Sequence, residues 1–244
     1  MSIILIGVDC ATQPNKMGLA RGKFEDGNAR IEEAIIGSTV PSIPDTLAGW
    51  IDQAHPTLIA MDAPLGWPAR LGQELENHEA GDPIQIEPNQ LFRRETDRFI
   101  KNEIGKQPLD VGADRIARTA YAALKNLEDI RERIRQEITL AWDPGDLSGI
   151  QAIEVYPAVT LIAYGMNVPG YKKCQEARRK LLAEIGEHVG FPADTSLMEH
   201  NDDALDAAIC VLAGADFLRG DVYKPPDLEL VKKEGWIWVK KPNV

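Results

Sequence analysis

Acidic residues stand at the ends of apolar runs in this chain. Asp9 closes Ile3-Ile4-Leu5-Ile6-Gly7-Val8, Asp62 closes Thr57-Leu58-Ile59-Ala60-Met61, and Glu154 lies near the end of the run over residues 150–155. One such acid needs no more explanation than a strand meeting solvent. Several together are different, because the carboxyl ends of neighbouring strands form the crevice where α/β folds bind ligands. A late segment adds Asn201-Asp202-Asp203-Ala204-Leu205-Asp206 and stays apolar from Ala207 to Ala213. Asn201, Asp202 and Asp203 suit a helix cap and first turn. Asp206 does not, since Ile209, Cys210, Ala213 and Phe217 continue its column and the helix is apolar nearly all round. A buried carboxylate there needs a cation or a proton. Spacings of three and four put Asp203 and Asp202 within reach of the same helix face as Asp206.

Carboxylates brought together repel: two at ~4 Å cost about 4 kcal/mol at an effective dielectric near 20. A counter-ion resolves this. Oxygen ligands without a His/Cys cluster point to a hard cation, Mg²⁺ or Mn²⁺, rather than zinc. Two such ions can clamp the attacking and leaving oxygens of an in-line phosphoryl displacement. No histidine stands in a general-base position: His55 and His78 read as surface residues, and His188 and His200 lie near helix ends.

The elements that must carry these acids follow from patterning. Strands are predicted over 2–8, 17–24 and 29–36, with Asp26-Gly27 as a hairpin turn between the last two. A helix over 44–54 and a strand over 57–61 come next. Proline and glycine punctuate residues 63–149, read as a mostly helical insertion whose longest helix spans 113–138, with apolar positions every three or four residues. A strand over 150–155 and helices over 158–164, 172–189 and 201–218 complete the order, before a short apolar segment at 236–239. This predicts an α/β domain over 1–244. Its mixed five-stranded sheet is flanked by helices, with the insertion between the fourth and fifth strands.

Composition sets the bounds. The 244 residues are 44% apolar and 27% charged, enough for a core without staples. Cys10, Cys174 and Cys210 form no CxxC pair, which fits a reducing cytoplasm. No run approaches the roughly 18 apolar residues of a membrane span, and the first apolar run reads as a buried strand rather than a signal peptide. A formal charge of −11 argues against a general nucleic-acid coat protein. Basic stretches at Arg93-Arg94 and Arg98, at Arg131, Arg133 and Arg135, at Lys172-Lys173 and at Arg178-Arg179-Lys180 are each most simply solvated helix faces.

The motifs VDCATQ, MDAPLGWP, FRRETDRF, IEVYP and NDDALDAA, in that order, resemble the family called "domain of unknown function 429", predicted nucleases of the ribonuclease-H-like (RuvC-type) superfamily. By that resemblance Asp9, Asp62, Asp203 and Asp206 fall on metal-binding, catalytic acids, with Glu154 and Asp202 accessory. Arg93, Arg94 and Arg98 lie in the family's insertion as candidates to meet substrate phosphates. The resemblance implies a ribonuclease-H-like core and Mg²⁺- or Mn²⁺-dependent hydrolysis of nucleic acid, and the acidic charge favours a short single-stranded or structured substrate. Two other readings stand beside it. An actin-like ATPase or phosphotransferase would want glycine-rich phosphate loops where the chain has Asp9-Cys10-Ala11-Thr12-Gln13. A non-catalytic protein retaining the fold would act through its insertion.

Overall fold

Residues 2–112, 114–166 and 168–241 are described in the computed structural model of the protein. The apolar, β-branched opening of the chain forms strand β1 (Ile3–Asp9). Strands β2 (Gly18–Glu25) and β3 (Asn28–Ile36) return antiparallel on its flank. Asp26 and Gly27 make the expected turn, both at positive φ, 49° and 80°. Helix α1 (Ile43–Trp50) then crosses back to β4 (Thr57–Asp62), which lies parallel to β1. Between β4 and the next strands come α2 (Ala69–Leu75), α3 (Pro88–Leu91), α4 (Glu95–Ile104) and α5 (Asp114–Ile134). Strands β5 (Thr139–Leu140) and β6 (Ile150–Glu154) follow, then α6 (Pro157–Ala163), α7 (Gln175–Ile185), α8 (Ser196–His200), α9 (Asp202–Arg219) and α10 (Leu228–Glu234).

The result is an α/β fold with a mixed sheet in the order β3-β2-β1-β4-β6-β5, flanked by helices. The sheet has six strands, not five. The additional strand, β5, is two residues long and too short to carry periodicity; it forms because the outer edge of β6 offers unpaired backbone. It arises within residues 63–149, so the end of the expected insertion belongs to the sheet. Three helices are shorter than their patterns, the first being that expected over 44–54, which ends at Trp50. The helix expected over 113–138 ends at Ile134, where Arg135 turns the chain at φ 54°, and Ala113 lies outside the described residues. The helix expected over 172–189 starts at Gln175, after a turn in which the Cys174 amide donates to the Gly170 carbonyl (2.9 Å).

Alternation along the strands divides the core in two. Leu5, Leu58, Ala60 and Ile153 pack with α9 on one face. Ile4, Ile6, Ile59, Met61 and Ala152 pack with Leu47 and Trp50 of α1 and Ala123, Leu127 and Ile130 of α5 on the other. No helix among the described residues is long and apolar enough to cross a membrane. The apolar tail is buried too: Trp238 donates its amide to the Glu154 carbonyl (2.9 Å), which lays residues 236–239 beside the end of β6.

Helix α9 is buried at every position from Ala204 to Leu218. The Asn201 side chain accepts from the Ala204 amide (3.0 Å) to start it, and Gly220 at φ 75° ends it. Its backbone rests directly on β1 and β2. A Cβ at Gly7 would stand 2.0 Å from the Ala207 carbonyl oxygen, and one at Gly18 would stand 1.8 Å from that of Asp203. Neither backbone can yield cheaply. Gly18→Ala should therefore destabilise the protein by overpacking, about 1–3 kcal/mol or more in urea denaturation. Gly49→Ala, in α1 with no neighbour within 4 Å of the added Cβ, should be neutral or stabilising by up to ~1 kcal/mol. Equal stability of Gly18→Ala and wild type would remove the close seat of α9 from the account of the fold.

Candidate active site

Parallel pairing brings the first two acids together. In the β1–β4 register Asp9 stands opposite Asp62, and by strand alternation both share the face of Leu5, Leu58 and Ala60, which pack on α9. Helix α9 supplies Asp206 from the same side, 2% exposed, with Asp203 and Asp202 in its first turn half-buried. Burial, then repulsion from Asp206 and Asp62, pushes the Asp9 carboxyl up to about 9. Burial and Asp206 push Asp62 up to about 8. Asp203 is also raised, first by burial and then by Asp202, with Lys16 and Lys172 opposing. Burial raises Asp206 as well, against the pull of Lys172.

Lys172 is the cation at this cluster. Its ammonium donates to Asp206 Oδ2 and lies 3.8 Å from Asp202 Oδ2, while the Tyr171 hydroxyl donates to Asp206 Oδ1 (3.1 Å). Neither residue was identifiable from sequence, where Lys172 reads as part of a solvated helix. It lies instead in the loop before α7, and only the fold brings that loop to α9. Cys10, beside Asp9, keeps its proton: burial, then Asp62 and Asp9, push its thiol well above the usual value, which disfavours thiolate chemistry. Asp62 also opens onto a pocket of about 260 Å³ whose walls include Cys10, Tyr156, Arg94 and Glu154.

No group of three or more His, Cys, Asp or Glu among the described residues is arranged to hold a metal ion. The donor chemistry nonetheless suits one. Asp9, Asp62, Asp203 and Asp206 offer carboxylate oxygen alone, the ligand set of hard divalent cations, and they outnumber the ammonium groups of Lys172 and Lys16 that act on them.

Glu154 stands apart because of strand parity. It pairs with Met61, one residue short of Asp62, so its side chain leaves the opposite face of the sheet. There it meets Arg94, which is 1% exposed. The guanidinium donates from Nη2 to Glu154 Oε1 (2.7 Å) and from Nη1 to Oε2 (2.8 Å), and also to both oxygens of Asp97 (2.9 and 3.1 Å). The Leu65 amide donates to Glu154 Oε2 (3.0 Å), and Arg94 Nη1 reaches the Glu234 carbonyl (3.2 Å). Arg94 thus ties α4, β6 and α10 together and has no donor turned to solvent. Arg93 donates to Asp110 (2.9 Å), and Arg98 to Glu95 (2.7 Å) and the Arg93 carbonyl (2.6 Å). The arginine cluster of the sequence is three separate internal pairings.

Two outcomes follow. Arg94→Ala should lose about 3–5 kcal/mol in urea, since it strands two buried carboxylates, whereas Arg93→Ala should stay within ~0.5 kcal/mol. A mild Arg94→Ala would mean that the buried pairing does not hold α4 in place. The second outcome concerns pH. Asp9 and Asp62 bind protons in the folded state up to about 9 and about 8, whereas unfolded aspartates release them near ~3.9. Between these values the folded state holds more protons, so metal-free stability should fall as pH rises from 5 to 8.5. Tm measured in EDTA should show that decline, shallower in Asp9→Asn; a flat wild-type profile would contradict it.

Comparison with known proteins adds two findings. No curated protein matches the chain. The solved structure of T. thermophilus RuvC in complex with Holliday junction substrate is similar at 11% identity, over 89% of this chain and 96% of that one, with a TM-score of 0.34. The family model described as "Protein of unknown function (DUF429)" matches residues 7–229, and the chain belongs to that family.

Proposed function

We propose that this protein is a metal-dependent nuclease with a ribonuclease-H-like core, built as one domain with α2–α5 as its helical insertion. The observation that carries this reading is the meeting of Asp9, Asp62 and Asp206 at the carboxyl ends of β1 and β4, where Lys172 alone bonds to Asp206 among the ammonium groups of the described residues. Asp9, Asp62, Asp203 and Asp206 would hold Mg²⁺ or Mn²⁺. When bound, such an ion supplies Lewis acidity toward a phosphoryl oxygen and eases deprotonation of the attacking water.

The chain's own groups do the rest. Tyr171 orients Asp206 through its hydroxyl, and Lys172, whose side chain is 48% exposed, can pass its ammonium from Asp206 to a non-bridging phosphate oxygen. Asp202, 3.8 Å from Lys172, keeps that ammonium near the site. Glu154 and Arg94 support the site from behind by fixing β6 against α4. The three free thiols are compatible with work in the cytoplasm.

Two measurements test the reading. Millimolar Mn²⁺ should raise the wild-type Tm, since an ion binding only the folded state stabilises it, and should do so much less in Asp9→Asn. Wild type with Mn²⁺ should cleave at least one of single-stranded DNA, RNA, duplex and branched DNA, with a loss of at least 100-fold in Asp9→Asn. No Tm response to Mn²⁺ or Mg²⁺ would remove the metal centre. Cleavage that persists in Asp9→Asn would come from another source.

A further inference from the structure

Arg94 is sealed inside the fold, and Arg93 and Arg98 are paired with Asp110 and Glu95, but the surface offers another cationic wall. Beside the loop that follows Asp9 runs a second, larger groove of about 900 Å³. One wall is the outward face of α5, where Arg118, Tyr121 and Lys125 recur at helical spacing. Thr12, Ser38 and Thr39 present hydroxyls from the other. Tyr121 is 68% exposed, so its ring is free to stack on a planar partner. Arg118 makes no ion pair among the described residues. Lys125 pairs with Asp129 (2.7 Å) in an exposed contact of small worth, readily exchanged for another anion.

We propose that this groove binds single-stranded nucleic acid beside the Asp9–Asp62 site, with a base stacked on Tyr121 and phosphates met by Arg118 and Lys125. An aromatic platform between cations is the chemistry by which proteins hold single strands without reading sequence. The volume argues the same way. It lies near the top of the ~300–1,000 Å³ range of small-molecule sites, which gives room for a short piece of one strand. Thr12 ties the groove to chemistry, because it lies three residues after Asp9 on the same loop. Asp114 lines one end and bounds the cationic stripe there. On a chain of net charge −11, cations gathered on one groove wall give phosphate a local approach.

The inference rests on the nuclease reading for its purpose, yet binding can be measured without catalysis. Full-length protein in EDTA at low salt is titrated into fluorescein-labelled ten-nucleotide thymidine DNA, ten-nucleotide uridine RNA and a ten-base-pair DNA duplex, followed by anisotropy. Either or both single strands should bind more tightly than the duplex, and the DNA and RNA arms name the sugar preferred. Tyr121→Ala should weaken single-strand binding about 5- to 150-fold, while Tyr121→Phe stays near wild type. Arg118→Gln should lower the slope of log affinity against log salt by about 0.7. Both side chains are exposed, so Tm should be unchanged in each variant. Unaltered affinity in Tyr121→Ala, absence of oligonucleotide binding, or preference for duplex would each overturn the proposal. So would concentration-dependent self-association abolished by Tyr121→Ala, which would make a second copy the occupant. Cleavage assayed separately with Mn²⁺ keeps the two readings distinct. Oligonucleotide binding without cleavage by wild type would sink the nuclease and leave the groove; cleavage with intact Tyr121→Ala affinity would do the reverse.

Discussion

The backbone contact between α9 and the first two strands governs the site. At Gly7 and Gly18 the helix lies so near the sheet that no side chain fits between them. That seating fixes the rotation and height of α9, and so places Asp206 over the strand ends occupied by Asp9 and Asp62. Tertiary burial keeps it there: fifteen consecutive residues, Ala204 to Leu218, are shielded from water. Each large apolar side chain among them is worth roughly 1.5–3 kcal/mol, enough in sum to hold a buried carboxylate in an environment it would otherwise avoid.

Strand parity then sorts the acids into two sets with different work. Asp9 and Asp62 share a register row and a face, and Asp206 joins them from α9. Glu154 is one residue out of that row, and the sheet sends it to the other side. On the α9 side burial first, and then the mutual repulsion that Lys172 only partly relieves, pushes the carboxyls of Asp9 and Asp62 up. On the far side Arg94 meets two carboxylates in near-complete burial, with geometry that satisfies all three groups. An unbalanced cluster suits chemistry and a balanced one suits construction. Here they stand on neighbouring strands one residue out of register, close enough that Glu154 adds to the upward push on Asp62.

The flanking helices have the same double character. Helix α5 buries Ala123, Leu127 and Ile130 against the sheet while its opposite face carries Arg118, Tyr121 and Lys125. Its inner face needs the 3.6-residue period for packing. The outer face needs no such pattern for stability, which leaves its residue types open to a role in recognition.

Local chemistry by itself determined the apolar strands, the hairpin turn at Asp26-Gly27, the buried helix α9 and the set of acids that close these elements. Each rests on a pattern contained within about twenty residues, such as two-residue alternation or the placement of a cap. What local pattern does not contain is the partner. Thr139-Leu140 becomes a strand only because β6 leaves an edge open, and Lys172 becomes a site residue only because its loop folds onto α9. Arg94 looks like its neighbours Arg93 and Arg98 in sequence, yet it is sealed inside because Glu154 and Asp97 arrive around it. Tertiary structure decided these matters because an ion pair or an edge pairing depends on residues tens of positions away, and their meeting is set by sheet register and helix seating rather than by the chain between them.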